Sequence, residues 1–241
     1  QSSRDNHYRQ MGQVANAQQA ILEHQQLQTT LRQYCPIICF PGDPVMPDSV
    51  FPNNVFASTE GKIIIGHMRH PIRQQEAMRT DIRQFMTNVL QREEIDLSTQ
   101  PGICELTGSL IIDRARGIGF CGLSERCNEA GAIAMHHAFG LRATYLFDLS
   151  ESEYHTNVVL SVLASRAIVI ASSGFKDIAS ANAIAEFYSP NVIQLTDVQK
   201  SEYAGNCIAL TEQVVCMSQR AKNSLTQTQL SHFHQMDFRV E

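Results

Sequence analysis

Tyr154-His155-Thr156-Asn157, running at once into Val158-Val159-Leu160, is the stretch on which the fold turns. It reads as a small polar turn with a histidine, followed by an apolar strand. The chain repeats the pattern: Phe51-Pro52-Asn53-Asn54 leads into Val55-Phe56, Leu106-Thr107-Gly108-Ser109 into Leu110-Ile111-Ile112, and Tyr203-Ala204-Gly205-Asn206 into Cys207-Ile208. The turns end at residues 54, 109, 157 and 206, so the steps are 55, 48 and 49. A near-constant period of about this length marks a repeat architecture, in which each unit is one supersecondary element and neighbours bury its apolar face.

Outward from each turn, the same order follows. In the first unit Val55–Ser58 and Lys62–Gly66 form a hairpin over Thr59-Glu60-Gly61, Pro71 opens a helix through Leu90, and Ile95–Leu97 is a third strand. The second has strands Leu110–Ile112 and Gly117–Cys121, a helix from Ser124 to Phe139 stopped by Gly140, and a strand Ala143–Leu149. The third has Val158–Leu163, Ala167–Ala171, a helix near Asp177–Phe187 and Asn191–Leu195. The fourth has Cys207–Leu210, Gln213–Ser218, a helix Thr226–Met236 and Phe238–Val240. Each unit therefore reads strand, strand, helix, strand.

A fifth unit is half present. Residues 1–10 are polar and expected to fray. From Met11 to about Gln33 the chain reads as a surface helix with one apolar stripe, Ile21, Leu22, Leu27 and Leu31. Cys35–Phe40 reads as a short buried strand closed by Pro41-Gly42-Asp43-Pro44. Repeats of this kind close into a ring when the first and last share a blade. Here the closing hairpin is missing from both termini.

Composition narrows the function classes. The 241 residues are 43% hydrophobic and 18% charged, which is ordinary globular chemistry. A net charge of -5 without any Lys/Arg run argues against nucleic acid as a partner. No apolar stretch is long enough to span a bilayer, and no signal peptide is visible. Seven cysteines without zinc-type spacing, and histidines without ligand spacing, predict no metal and no cofactor in a reduced, cytoplasmic protein.

Asp48 to Asn54, Thr107-Gly108-Ser109, His155-Thr156-Asn157-Val158, Ala204-Gly205-Asn206 and Ser218 to Thr226 together resemble the amidinotransferase (pentein) superfamily. The nearest branch is the one named for citrulline-utilisation hydrolases, over about Asp5 to Glu241. The resemblance implies a single domain, a five-bladed α/β propeller with its site on the axis. It also implies hydrolysis or group transfer at a guanidino or ureido carbon of a small amino acid, through a cysteine adduct; a homodimer is compatible with it. A histidine must protonate the leaving amine and later activate water.

His155 is the histidine that sits in a repeated turn and takes that role; the alternative is a turn residue capping a strand. Glu105 matches the family's acidic residue that holds substrate nitrogens and orients the histidine; the alternative is a solvated edge charge. Asp48 stands where it could touch a substrate amino group or cap its loop. Asn54 and Asn157 fall where arginine-directed relatives carry aspartates, so they either line the pocket or only form turns. Two amides in place of two carboxylates suit a neutral ureido group such as citrulline better than a cation.

Cys207 begins a strand after the fourth turn and is the stand-in nucleophile within this sequence, but its counterparts Val55, Leu110 and Val158 are apolar. The resemblance places the nucleophile in the fifth unit, on a Gly-rich strand that the period extends to near position 255, outside a sequence that stops at Glu241. The competing reading is an inactive, pentein-fold binding module.

Overall fold

The computed structural model describes residues 16–46 and 48–241. The expected fraying of residues 1–10 and the start of the first helix lie outside the described residues. The helix α1 (Ala17–Leu31) begins on Asn16, whose side chain accepts from the backbone N–H groups of Gln18 and Gln19. None of its residues is buried, and Ile21, Leu22 and Leu27 of the apolar stripe are exposed. Cys35–Phe40 is not a strand. Cys35, Ile38 and Cys39 are exposed, and no described segment offers the ladder that would satisfy an extended backbone there. Tyr34 ties this segment to the far end of the chain, donating to Glu241 Oε2 at 2.6 Å.

Four three-stranded sheets follow, all of one topology. The first holds β1 (Phe56–Thr59), β2 (Lys62–Ile65) and β3 (Glu93–Asp96), antiparallel then parallel. Between its last two strands the expected single helix is broken into α2 (Pro71–Ala77), α3 (Thr80–Gln84) and a π-turn, Phe85–Val89. The break falls at Arg79, which is extended (ψ 95°) and whose guanidinium bonds Asp81 and the Pro41 carbonyl.

The second sheet holds α4 (Leu106–Ser109), β4 (Leu110–Asp113), β5 (Ile118–Leu123), α5 (Glu129–Phe139) and β6 (Ala143–Asp148). The third holds α6 (Thr156–Val159), β7 (Leu160–Leu163), β8 (Ala167–Ile170), α7 (Ile178–Tyr188) and β9 (Val192–Gln194). The fourth follows α8 (Asp197–Ser201) with β10 (Ile208–Ala209), β11 (Val214–Cys216), α9 (Gln219–Ser224), α10 (Gln227–Gln235) and β12 (Arg239–Val240). In each sheet a hairpin pairs antiparallel, and a strand returning through helix adds parallel to the hairpin's second strand. The central strand is the apolar one: all four residues of β8 are fully buried, as a strand covered on both faces requires.

Two corrections to the sequence reading bear on function. The repeated motifs are not plain turns: residues 52–54, 106–109 and 156–159 each form one helical turn, so Val158 is helical and the strand starts at Leu160. And α5 starts at Glu129, not Ser124, because Asn128 caps it by accepting from Gly131 N–H at 2.9 Å. Residues 124–127 are consequently a loop. Asn53, Thr107, Asn157 and Asn206, one from each motif, line a common groove of about 800 Å³.

Candidate active site

Glu105 and His155 occupy the cap positions that open α4 and α6. Glu105 is pinned by its backbone: its N–H donates to the Arg126 carbonyl at 3.1 Å, and its own carbonyl accepts from Gly108 and Ser109. Its side chain is fully buried. The carboxylate accepts from His155 Nε2 at 2.8 Å, from Arg126 Nη1 at 3.3 Å and from the Arg69 backbone N–H at 3.3 Å. A carboxylate can only accept, so the hydrogen in the short bond belongs to Nε2, leaving Nδ1 as the ring's lone pair.

Electrostatics keep this pair as carboxylate and neutral imidazole. Burial pushes the Glu105 pKa upward, but the hydrogen bond from His155, with the charges of Arg126 and Arg73, prevails and holds it below the usual carboxylate range. Burial dominates for His155 and lowers it from the ordinary 6.5, against the pull of Glu105.

Asn54 joins the pair. It is buried, and a methyl built on Gly108 would lie 2.5 Å from Asn54 Oδ1 and 3.0 Å from His155 Cε1 and Nε2. Gly108 is thus the spacer that lets the amide and the imidazole approach the same point. Asp48 is also buried, and its carbonyl accepts from Arg73 Nη2 at 3.3 Å. The Arg73 guanidinium grips both oxygens of Glu76, a buried ion pair whose field reaches Glu105.

Asn157 and Cys207 are placed differently. Both line the 800 Å³ groove with Ser161 and Asn206, a lining that includes neither His155 nor Glu105. Burial pushes the Cys207 thiol up to about 12. Cys104 is likewise pushed to about 12 by burial, Cys127 is raised by its contact with Cys121 and by burial, and Cys216 is raised by burial. A nucleophilic cysteine needs the opposite shift.

Arg126, Arg73, Ser124 and Thr156 were not singled out from the sequence. A helix start at Ser124 places Arg126 within the helix; Asn128 followed by Glu129 is the capping signal that frees it. Arg73, three residues before Glu76, gave no cue to its burial. Among the described residues, no cluster of three or more His, Cys, Asp or Glu side chains is set to hold a metal ion, and no helix is long and apolar enough to cross a membrane.

The family described as N,N dimethylarginine dimethylhydrolase, eukaryotic, matches residues 1–241, the whole chain. The chain belongs to this family. It is therefore a member of the pentein superfamily, and of a family of hydrolases acting on guanidino C–N bonds. Comparison with curated proteins yields no match. Among solved structures it is similar to the N-terminal domain of ArgZ, a cyanobacterial arginine dihydrolase, in a cysteine-to-serine mutant bound to substrate: TM-score 0.83, 16% identity, 98% of this chain and 84% of that one. The AgrE complex with L-arginine gives TM-score 0.79 at 18% identity, over 93% of this chain and 32% of that one. The Pseudomonas aeruginosa DDAH cysteine-to-serine mutant complexed with citrulline gives 0.74 at 21% identity, over 94% and 81%. These likenesses show a shared α/β fold.

Proposed function

We propose that this dimethylarginine dimethylhydrolase family member is a cysteine/histidine hydrolase of an arginine-like amino acid, built as a single-domain, five-bladed propeller. The observation that carries the reading is the buried Glu105–His155 pair, 2.8 Å apart. A buried carboxylate holding Nε2–H fixes the tautomer that presents Nδ1 as a base, and it stabilises the imidazolium once Nδ1 has taken a proton. A thiol loses its proton to Nδ1, and the thiolate adds to the guanidino carbon. The imidazolium returns that proton to the departing amine as the C–N bond breaks. His155 next takes a proton from water, whose hydroxide adds to the carbon and expels the thiolate, and the imidazolium reprotonates the sulfur.

The nucleophile is assigned to a fifth unit, as the superfamily resemblance implies. Cys207 fits poorly, because its thiol is shifted away from ionisation. Two related proteins with a replaced cysteine are described with bound substrate and with citrulline, which supports a cysteine nucleophile. The test is turnover of dimethylarginine, arginine and citrulline by the full-length protein as wild type and as His155→Ala. Loss of about 10²–10⁴ in kcat in the variant is expected. No turnover of any of the three by the wild type would favour a binding module instead.

The citrulline reading rests on Asn54. Its amide and the His155 ring both close on Gly108, an amide where a carboxylate would compensate a cation, and Glu105 already faces Arg126. Asn54→Asp should shift kcat/KM towards arginine over citrulline by about 1–3 kcal/mol, the value of one charge-assisted bond. An unmoved ratio would make the amide a turn former.

A further inference from the structure

His155 and Glu105 lie 50 residues apart and flank different sheets, so no strand ladder sets their 2.8 Å separation. The residues on either side of His155 do. Tyr154, before it, has its carbonyl held by the Ser124 hydroxyl at 2.8 Å. Ser124 Oγ in turn accepts from the Arg126 backbone N–H at 3.0 Å, which ties the bond to the loop whose guanidinium faces Glu105. Thr156, after it, is fully buried. Its hydroxyl donates to the Ser109 carbonyl at 2.6 Å, on the helical turn that Glu105 opens, and accepts from Gly122 N–H at 2.9 Å. Every partner belongs to the unit that carries Glu105. The fit at Gly122 is close: a Cβ there would meet Thr156 Oγ1 at 2.7 Å.

We infer that Ser124 and Thr156 are positioning residues, two hydroxyl latches that clamp the backbone on both sides of His155 to the Glu105 unit and so hold the acid/base pair in register. The inference rests on the proposed hydrolase reading for its kinetic consequence, but not for its structural one. Both hydroxyls are engaged with backbone groups on two sides. A pair spaced by two latches loses its alignment when either is cut, and a misplacement on the order of 1 Å costs about 10²-fold in rate.

The experiment compares wild type with Thr156→Val, Thr156→Ser and Ser124→Ala in kinetics and in ¹⁵N-histidine NMR. Thr156→Val keeps the side-chain shape and removes both bonds; Thr156→Ser keeps the hydroxyl. The latch predicts that Thr156→Val lowers kcat about ten- to hundredfold with KM within about twofold, that the acid limb of the pH–rate profile moves, and that Thr156→Ser restores both. It also predicts faster solvent exchange of the His155 Nε2 proton in Thr156→Val and Ser124→Ala, a readout independent of turnover. A folded Thr156→Val with wild-type kcat, pH profile and Nε2 exchange would overturn the inference. If Thr156→Val does not fold, Ser124→Ala decides it, and unchanged Nε2 exchange there is equally fatal. Should His155→Ala prove as active as wild type, the hydrolase reading falls while the exchange measurement still judges the latch.

Discussion

A histidine with 4% of its surface exposed is costly to charge, and this sets two behaviours of His155. Its pKa is lowered from 6.5 in the folded chain by burial, so below that value the unfolded chain binds a proton that the native state resists. Stability therefore rises with pH up to about 6.5 and gains nothing further from this group above it. Urea midpoints from pH 5 to 7 should show a smaller drop on the acid side for His155→Gln than for the wild type; parallel curves would show that the ring is not the titrating group. Activity should follow the same sign, falling as acid protonates Nδ1. His155→Ala leaves the carboxylate of Glu105 short of one partner in a water-poor site, and should cost about 1–3 kcal/mol in denaturant unfolding. The family resemblance suggests Glu105 as the residue that orients His155; the repeated turn holds His155, while Glu105 stands just outside its copy at Leu106–Ser109. What surrounds the pair was not legible: a buried arginine such as Arg73 looks, in sequence, like any solvated helix charge.

At the scale of elements, the decisive boundary is the start of α5. Asn128 caps it through Oδ1, which accepts from Gly131 N–H at 2.9 Å and also from Ile103 N–H at 3.1 Å, so one side chain ends the 124–127 loop and fastens it to the segment before Glu105. Asn128→Ala should cost about 1–2 kcal/mol, and Asn128→Asp, which keeps both acceptors and suits a helix N-terminus, should recover most of it. Thermal unfolding of the three proteins checks this, and equal midpoints for Ala and Asp variants would deny the cap its role. The sequence hid this boundary because Ser124 is also a good cap residue; tertiary structure decided between them, recruiting the Ser124 hydroxyl for Tyr154 instead. Elsewhere the hairpins were readable from paired apolar runs and Gly61, whereas Cys35–Phe40 was not, because an apolar run specifies a strand only if a neighbouring ladder is there to receive it.

For the whole molecule, the units are joined by a recurring device, a hydroxyl from one unit on a carbonyl of its neighbour. Thr107 Oγ1 donates to Asn53 O at 3.0 Å between the first and second units, and Thr156 Oγ1 to Ser109 O at 2.6 Å between the second and third. Ser161 Oγ, buried on β7, lies 2.7 Å from Gly205 O and 2.9 Å from Cys207 O of the fourth unit, and its single hydrogen serves both. Asn53, Thr107, Ser161 and Cys207 of these joints line the groove. In an assembly of repeats stability is close to a sum of unit and neighbour terms, so removing one joint should act locally. Ser161→Ala strands two buried carbonyls, an effect of about 1–3 kcal/mol, which corresponds to roughly 5–150-fold in a local opening constant. Hydrogen exchange should therefore accelerate by that factor in β10 and β11 and stay unchanged in β1, β2 and β4. Packing opposes the effect, since Cys207 and Val215 belong to the same apolar cluster as the third unit and hold the fourth against it. If exchange instead rises equally in all four sheets, the units open as one body and the joints contribute only to global stability; if it rises nowhere, the apolar cluster alone fixes the fourth unit.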